Sequence, residues 1–334
     1  MTYLLAFAVA LLSSLVFTPL VRALATKFSL LDIPDGQRFH SSPVPLLGGV
    51  AVVSAILVGV LLSFPLLGVQ LGAGHLILGS GIVLSFALGL YDDRKGMGAL
   101  RKISGQALCA AALVVGCYAG GWIEGWFLSP LLFVWVVGMM NAINFLDNMD
   151  GVAGGVIALT SLTFLFLLVG TQHWTGIVLA GALCGATIGF LRFNFPPASI
   201  FLGDAGSLPL GYLLSAVSIM VAGQAMPHSL LTPLVVLAYP VFDTTFVTIV
   251  RVKERRKFYQ GGKDHSSHRL AALSGSTRKT ALVIYLVCVV LGLLAFLVEH
   301  VESLLFSASV VAALLVLFSF LGLRLVKVKT GAPA

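Results

Sequence analysis

Four clusters in this chain carry side chains suited to phosphate chemistry. The first is Gly-Leu-Tyr-Asp-Asp-Arg-Lys-Gly at 89–96, where Asp92 and Asp93 are followed by Arg94, Lys95, Arg101 and Lys102. A carboxylate pair beside four cations suits a site that grips phosphates together with a divalent metal, although an acidic pair alone also fits a solvated helix end. In the second cluster, Asn141, Asn144, Asp147 and Asp150 recur every third residue. That spacing lines one face of a helix or tight turn with amide and carboxylate oxygens, and polar side chains at membrane depth are costly and usually functional. Gly151, Gly154 and Gly155 follow and allow close backbone approach.

In the third cluster, Pro196 and Pro197 break the preceding helix and Asp204 stands in a Gly-Asp-Ala-Gly turn before the next apolar run. Oxygen ligands of this kind are the Mg²⁺ pattern rather than a zinc pattern. The fourth is a long polar stretch from Arg251 to Leu270. Its Arg255, Arg256 and Lys257 suit anionic headgroups as well as topology. His265, His268 and Arg269, on a glycine-hinged loop, offer several donors to a pyrophosphate.

The elements that must position these groups are membrane helices. Hydrophobic residues make up 58% of the 334 and charged residues only 10%, against about 25% charged in soluble domains, and the mean hydropathy is +1.04. The net charge of +7 does not point to nucleic acid, because the basic residues lie between apolar segments, where they set topology. Cys109, Cys117, Cys184 and Cys288 sit inside apolar runs without ligand spacing and read as small packing residues.

A bilayer core of roughly 30 Å takes about 20 apolar residues per helix. Eleven apolar segments are expected, near 2–23, 46–67, 74–91, 103–120, 127–143, 152–170, 175–192, 207–223, 230–250, 281–298 and 303–323. The fold class is therefore all-α: one polytopic membrane domain over 1–334. The first basic residue, Arg22, follows the first span instead of preceding it, unlike a cleavable signal peptide. The N-terminus is thus expected outside and the C-terminus in the cytoplasm. All 20 Lys and Arg then fall on or beside the cytoplasmic connections 24–45, 92–102, 144–151, 193–206 and 251–280 or in the C-terminal tail on the same side. Asp32, Asp35 and the aspartates of the four clusters share that face, as does Asp264; the exception is Asp243, eight residues into a span from Arg251.

The four clusters, in this order, with Arg38-Phe39-His40-Ser41-Ser42 through Gly49 after the first span and Pro240-Val241-Phe242-Asp243 in the ninth, resemble the polyprenyl-phosphate N-acetylhexosamine-1-phosphate transferases. The resemblance runs from about residue 32 to 270 and rests on the ordered set. It implies that Asp92 and Asp93 are the catalytic aspartate pair, that Lys102 reaches the lipid phosphate, and that Asn144 and Asp204 hold Mg²⁺, with Mn²⁺ as a substitute. Asp150 matches a uracil contact, with Asn141 and Asp147 beside it in the nucleotide site. His265, His268 and Arg269 match a loop over sugar and pyrophosphate, although Ser267 stands where the family often has another His. Asp243 with Pro240 matches a position in a bent helix, without a chemical role.

The implied reaction joins a sugar phosphate from a UDP-N-acetylhexosamine, GlcNAc first, to undecaprenyl phosphate at the cytoplasmic face of a bacterial inner membrane, the first membrane step of an envelope glycan. The short histidine loop favours that donor over a MurNAc-pentapeptide. The oligomeric state, including a homodimer, is left open. A transporter would carry its polar groups at mid-membrane in repeated halves, and a CDP-alcohol transferase would carry a closer run of aspartates; neither pattern is present.

Overall fold

The structure is a computed structural model that describes residues 4–32, 43–223, 227–257, 259 and 261–330. Asp35 and the Arg38–Ser42 stretch of the 24–45 connection lie outside the described residues. The chain is a helical bundle: α1 (Leu5–Lys27), α2 (Gly48–Leu66), α3 (Ala73–Lys95), α4 (Ala99–Ala119), α5 (Ser129–Leu146), α6 (Val152–Leu168), α7 (Trp174–Asn194) and α8 (Asp204–Ala222). A short α9 (Thr232–Val236) leads into α10 (Ala238–Lys253), and α11 (Ser266–Ser274), α12 (Thr277–Val301) and α13 (Leu304–Leu325) complete it. Two short antiparallel strands, β1 (Leu31–Asp32) and β2 (Val44–Pro45), pair between α1 and α2.

Each of the eleven apolar segments contains a helix. Among the described residues nine helices are long and apolar enough to cross a membrane, and the pair 228–236 and 238–253, bent by 64°, makes a tenth. The expected span at 152–170 corresponds to a shorter apolar helix than these. Its helix α6 has 17 residues, about 26 Å at 1.5 Å per residue, and lies inside the bundle with one side almost wholly packed. The protein is thus a multi-pass membrane protein, and α8 is its centre, buried along nearly its full length, while α1 and α13 face outward. A residue at the first turn of α8 therefore stands over the middle of the bundle.

Close backbone approach fixes that turn. Gly89 of α3 lies against Asp204, where an added Cβ would come 2.0 Å from the Asp204 carbonyl oxygen. From the other side, Gly48 and Gly49 donate backbone N–H groups to Phe201 and Leu202 carbonyls at 2.8 Å, and Phe201 donates to the Pro45 carbonyl at 2.9 Å. The segment ahead of α8 is thus stitched to β2 and to the start of α2. At the opposite end of α12, Glu299 accepts from Ser229 Oγ and Thr232 Oγ1, each at 2.6 Å, and pins the short arm of the bent pair.

Candidate active site

Three helix ends converge at the start of α8. Asp92 and Asp93 end α3, Lys102 lies in the first turn of α4, and Asn144 lies near the end of α5. Lys102 Nζ is 2.9 Å from Asp92 Oδ2 and 3.1 Å from Asn144 Oδ1, and it also donates to Asp204 Oδ2. Asn144 Nδ2 donates to Asp204 Oδ1 at 2.6 Å and to Ser207 Oγ at 2.9 Å. Oxygens from Asp92, Asn144 and Asp204 thus surround one ammonium.

Asp93 does different work from its neighbour. Its two carboxylate oxygens accept the backbone N–H groups of Asp204 and Ala205 at 2.8 and 2.9 Å. These are donors that a helix start leaves without partners of its own, so α3 caps α8 with a full negative charge, which the helix dipole favours. Gly203, at φ +71°, takes a backbone conformation that places its Cα side against this carboxylate, where a Cβ would meet Asp93 Oδ2 at 2.7 Å. The Asp92–Asp93 pair therefore divides into one group facing the cation cradle and one group building it.

The turn after α5 forms the next wall. Asp150 Oδ2 accepts the Ala198 N–H at 2.8 Å, and Asn194 bridges the same two segments, accepting from Gly151 N and donating to the Ile200 carbonyl, each at 3.0 Å. Burial pushes Asp147, just past α5, up to about 8; the charges of Asp204 and Asp93 act in the same direction and a hydrogen bond from the Gly203 backbone opposes them. Asn141, one turn deeper, pairs with Gln106 of α4: its Nδ2 donates to Gln106 Oε1 at 2.8 Å and to the Val137 carbonyl at 2.8 Å, and Gln106 Nε2 donates back at 3.3 Å. Its amide joins two helices.

The loop before α11 folds back onto this turn. Ser267 Oγ donates to Asn148 Oδ1 at 2.6 Å and His268 Nε2 lies 3.2 Å from the Asn148 carbonyl. Burial lowers His268 to about 4, helped by neighbouring His265. His265 meets Asp243 and Arg251 at its two ring nitrogens. Burial alone would raise Asp264, but Arg251, bound to it at 2.8 and 3.0 Å, and Arg256 hold its carboxyl well below the usual range. Arg269 points elsewhere: its Nη1 donates to the carbonyls of Leu325, Val326 and Val328 at 3.1, 3.1 and 2.7 Å, and its Nε donates to the Asp264 carbonyl at 3.2 Å. It anchors the loop to the end of α13.

The structure thus gathers Asp92, Asp93, Lys102, Asn144 and Asp204 in one cluster and ties His265 and His268 to the turn that bears Asp147 and Asp150. Sequence reasoning missed Asn148, Asn194 and Gln106. Asn148 had a visible signal, since it lies between Asp147 and Asp150 in the same polar run; Gln106 and Asn194 lie inside apolar helices and give none.

A cation fits the cradle by its chemistry. The atoms that accept from Lys102 Nζ are all oxygens of two carboxylates and an amide, and as metal ligands they are the set for a hard ion such as Mg²⁺. Among the described residues no three His, Cys, Asp or Glu side chains gather into a complete metal cage.

A family model described as glycosyl transferase family 4 matches residues 75–222, which include the aspartate pair, the Asn141–Asp150 run and Asp204. The chain is 33% identical over 307 residues to a probable undecaprenyl-phosphate N-acetylglucosaminyl 1-phosphate transferase of Bacillus subtilis, covering 88% of this chain and 84% of that one. It is 31% identical over 317 residues to a decaprenyl-phosphate N-acetylglucosaminephosphotransferase of Mycolicibacterium smegmatis, covering 83% and 76%. A phospho-N-acetylmuramoyl-pentapeptide-transferase of Halalkalibacterium halodurans matches at 31% over 245 residues, 66% of this chain and 74% of that one. With the membrane bundle, these matches define the class as an integral-membrane enzyme of the glycosyl-1-phosphate transferase kind. The chain belongs to glycosyl transferase family 4, the polyprenyl-phosphate hexosamine-1-phosphate transferases.

Proposed function

We propose that this enzyme transfers N-acetylglucosamine-1-phosphate from UDP-GlcNAc to undecaprenyl phosphate and releases UMP, at the cytoplasmic face of a bacterial inner membrane. The observation that carries the reading is the cation cradle: oxygens of Asp92, Asn144 and Asp204 converge on one point at the helix ends. That is where a lipid phosphate held in the bilayer can meet a sugar nucleotide from water. The charge distribution supports the sidedness, because every Lys and Arg lies on or beside the connections expected at this end or in the C-terminal tail.

In the proposed step, an oxygen of the lipid phosphate forms a bond to the β-phosphorus of the donor while the bond from that phosphorus to the oxygen of UMP breaks. A phosphate monoester has its second pKa near about 6, so the nucleophile is largely dianionic at neutral pH and needs little help from a base. The protein's work is placement and charge neutralisation. Lys102, whose ammonium lies among the oxygens of Asp92, Asn144 and Asp204, supplies the positive charge for the arriving phosphate. Asp92 and Asp204 hold it between turnovers. Asp93, by capping α8, keeps Asp204 in register with Asn144. Asp147 and Asp150, beside the 195–203 segment, form the side of the cleft assigned to the nucleotide, and the loop with His265 and His268 closes the side assigned to sugar and pyrophosphate. Mg²⁺, held by Asn144 and Asp204, would neutralise the pyrophosphate and favour departure of UMP.

The test is UMP release by purified protein given undecaprenyl phosphate and Mg²⁺ with UDP-GlcNAc, UDP-GalNAc or UDP-MurNAc-pentapeptide in turn, and Asp204→Asn as control. Release with UDP-GlcNAc that needs both lipid and metal supports the reading. Release only with the pentapeptide donor would replace the sugar, and no release with any donor from folded protein would overturn the reaction.

A further inference from the structure

Asp243 is buried inside α10, with 1% of its surface exposed, one and a half turns past the bend between α9 and α10. A buried carboxylate in a membrane helix is expensive unless every lone pair is met. Here three donors meet it: His265 Nδ1 at 2.8 Å, the Ser266 backbone N–H at 2.8 Å and Ser266 Oγ at 2.5 Å. All three come from the loop that follows the next polar stretch, so the carboxylate is the seat onto which that loop folds.

The other ring nitrogen fixes the proton. Nε2 of His265 lies 3.3 Å from Nη2 of Arg251, and a guanidinium has donors only. A carboxylate at Nδ1 is an acceptor, and an arginine at Nε2 is a donor. The pair of contacts is satisfied when the proton sits on Nδ1 and the lone pair on Nε2. Arg251 in turn binds Asp264, the residue before His265, through two nitrogens, and its guanidinium lies over the Phe145 ring at 5.4 Å from the centroid. Phe145 stands between Asn144 and Asp147, and His265 meets the same ring edge-on at 6.1 Å.

We propose that Asp243 is a positioning residue for the transfer: it holds His265 with the proton on Nδ1, and that imidazole, through Arg251 and Asp264, sets loop 264–268 against the Asn144–Asp150 turn. Both nitrogens of His265 are then used inside the protein. The loop's grip on the sugar nucleotide comes from the frame that His265 supports, and no nitrogen of His265 is left to point at a phosphate. The kinetic half of this inference rests on the proposed transfer; the tautomer half does not.

The experiment uses full-length protein with ¹⁵N-labelled histidine, in detergent micelles above pH 7.5, with His265→Gln to assign the signal. Wild-type His265 is expected to show a protonated Nδ1 and an unprotonated Nε2, and Asp243→Asn should abolish that state. A proton on Nε2 in the wild type, with or without one on Nδ1, overturns the proposal even if UMP release is normal. In kinetics, Asp243→Asn should lower kcat/KM by at least about tenfold, the scale of losing the partner that orients a ligand histidine, mainly through a higher KM for the sugar nucleotide. Glutamine at 265 keeps a group near Nε2 and loses the one at Nδ1, so in that background Asp243→Asn should cost little more. An equal cost in both backgrounds, or full activity of Asp243→Asn, overturns the proposal. Should Asp243→Asn fail to fold, the wild-type tautomer still decides. The expected tautomer in a protein that releases no UMP from any donor would leave the positioning intact and remove the proposed reaction.

Discussion

Asp93 accepts the backbone N–H groups of Asp204 and Ala205, so the second member of the aspartate pair caps the helix on which Asp204 stands. Asp92, one residue earlier, instead faces Lys102 at 2.9 Å. The two side chains leave the end of α3 in different directions and meet different partners.

Replacing Asp93 by Asn therefore tests architecture. The two N–H groups are met by two different carboxylate oxygens, and in the amide one of these becomes an NH₂ that faces an N–H donor. The cap loses about 1 kcal/mol, read as a fall in Tm. UMP release falls further, by about 100-fold, because a small displacement of reacting groups is enough for that loss.

Lys102→Met separates the phosphate-binding role of the ammonium from its hold on the cradle. Turnover is expected to drop by about 100-fold or more, the scale for removing one preorganised donor from a reaction centre. The Mg²⁺-induced rise in Tm is expected to grow, since the ammonium no longer competes for Asp92, Asn144 and Asp204 oxygens. A smaller rise than in wild type would argue against a shared cation position.

Acid should loosen the histidine loop before it unfolds the bundle. His268 is lowered from 6.5 to about 4 by burial, so between those values the unfolded loop takes up a proton that the folded one refuses. Stability from this group is full above about pH 6.5 and is lost as pH falls toward 4, by up to roughly 3 kcal/mol for a shift of this size. Asp264, held low, adds a loss in the same direction only at more acid pH. Hydrogen exchange of residues 264–274 between pH 7 and 5 reads the effect, and His268→Gln should flatten it.

Arg269→Lys keeps the charge and removes the fork. Three carbonyls at the end of α13 share Arg269 Nη1, and an ammonium on a different stem cannot reproduce that geometry. A loss of about 2 kcal/mol is expected from the unmet carbonyls, with faster proteolysis in the 253–263 connection and a raised KM for the donor.

The sequence carried the membrane class and the order of the clusters, because apolar run length acts locally, while the bend beside Pro240 came only from the family resemblance. The five residues now found around the start of α8 were all visible as candidates, since charged and amide side chains at the ends of apolar runs stand out. Their division of labour was not visible. Asn141 keeps the three-residue spacing of Asn144 and Asp147, yet it faces Gln106 of α4 and joins two helices; spacing gives the face of a helix and says nothing of the neighbour across from it. Arg269 beside His268 read as a phosphate ligand, but the end of α13 reaches it from more than fifty residues away. The segment at 152–170 read as apolar by composition, and its helix α6, at 17 residues, packs most of its apolar side chains against α7 and α12, neighbours that composition could not name.

The anchoring of Arg269 on α13 also has a consequence for biosynthesis. Chains fold from the N-terminus as they are made, and the aspartate cluster is complete once α8 is in place. The loop over it gains its last support only when residues 325–328 have followed α13 into position. An emerging chain thus assembles its aspartate cluster before the loop over it is anchored, and the grip on substrate proposed for that loop can form only after α13 is in place.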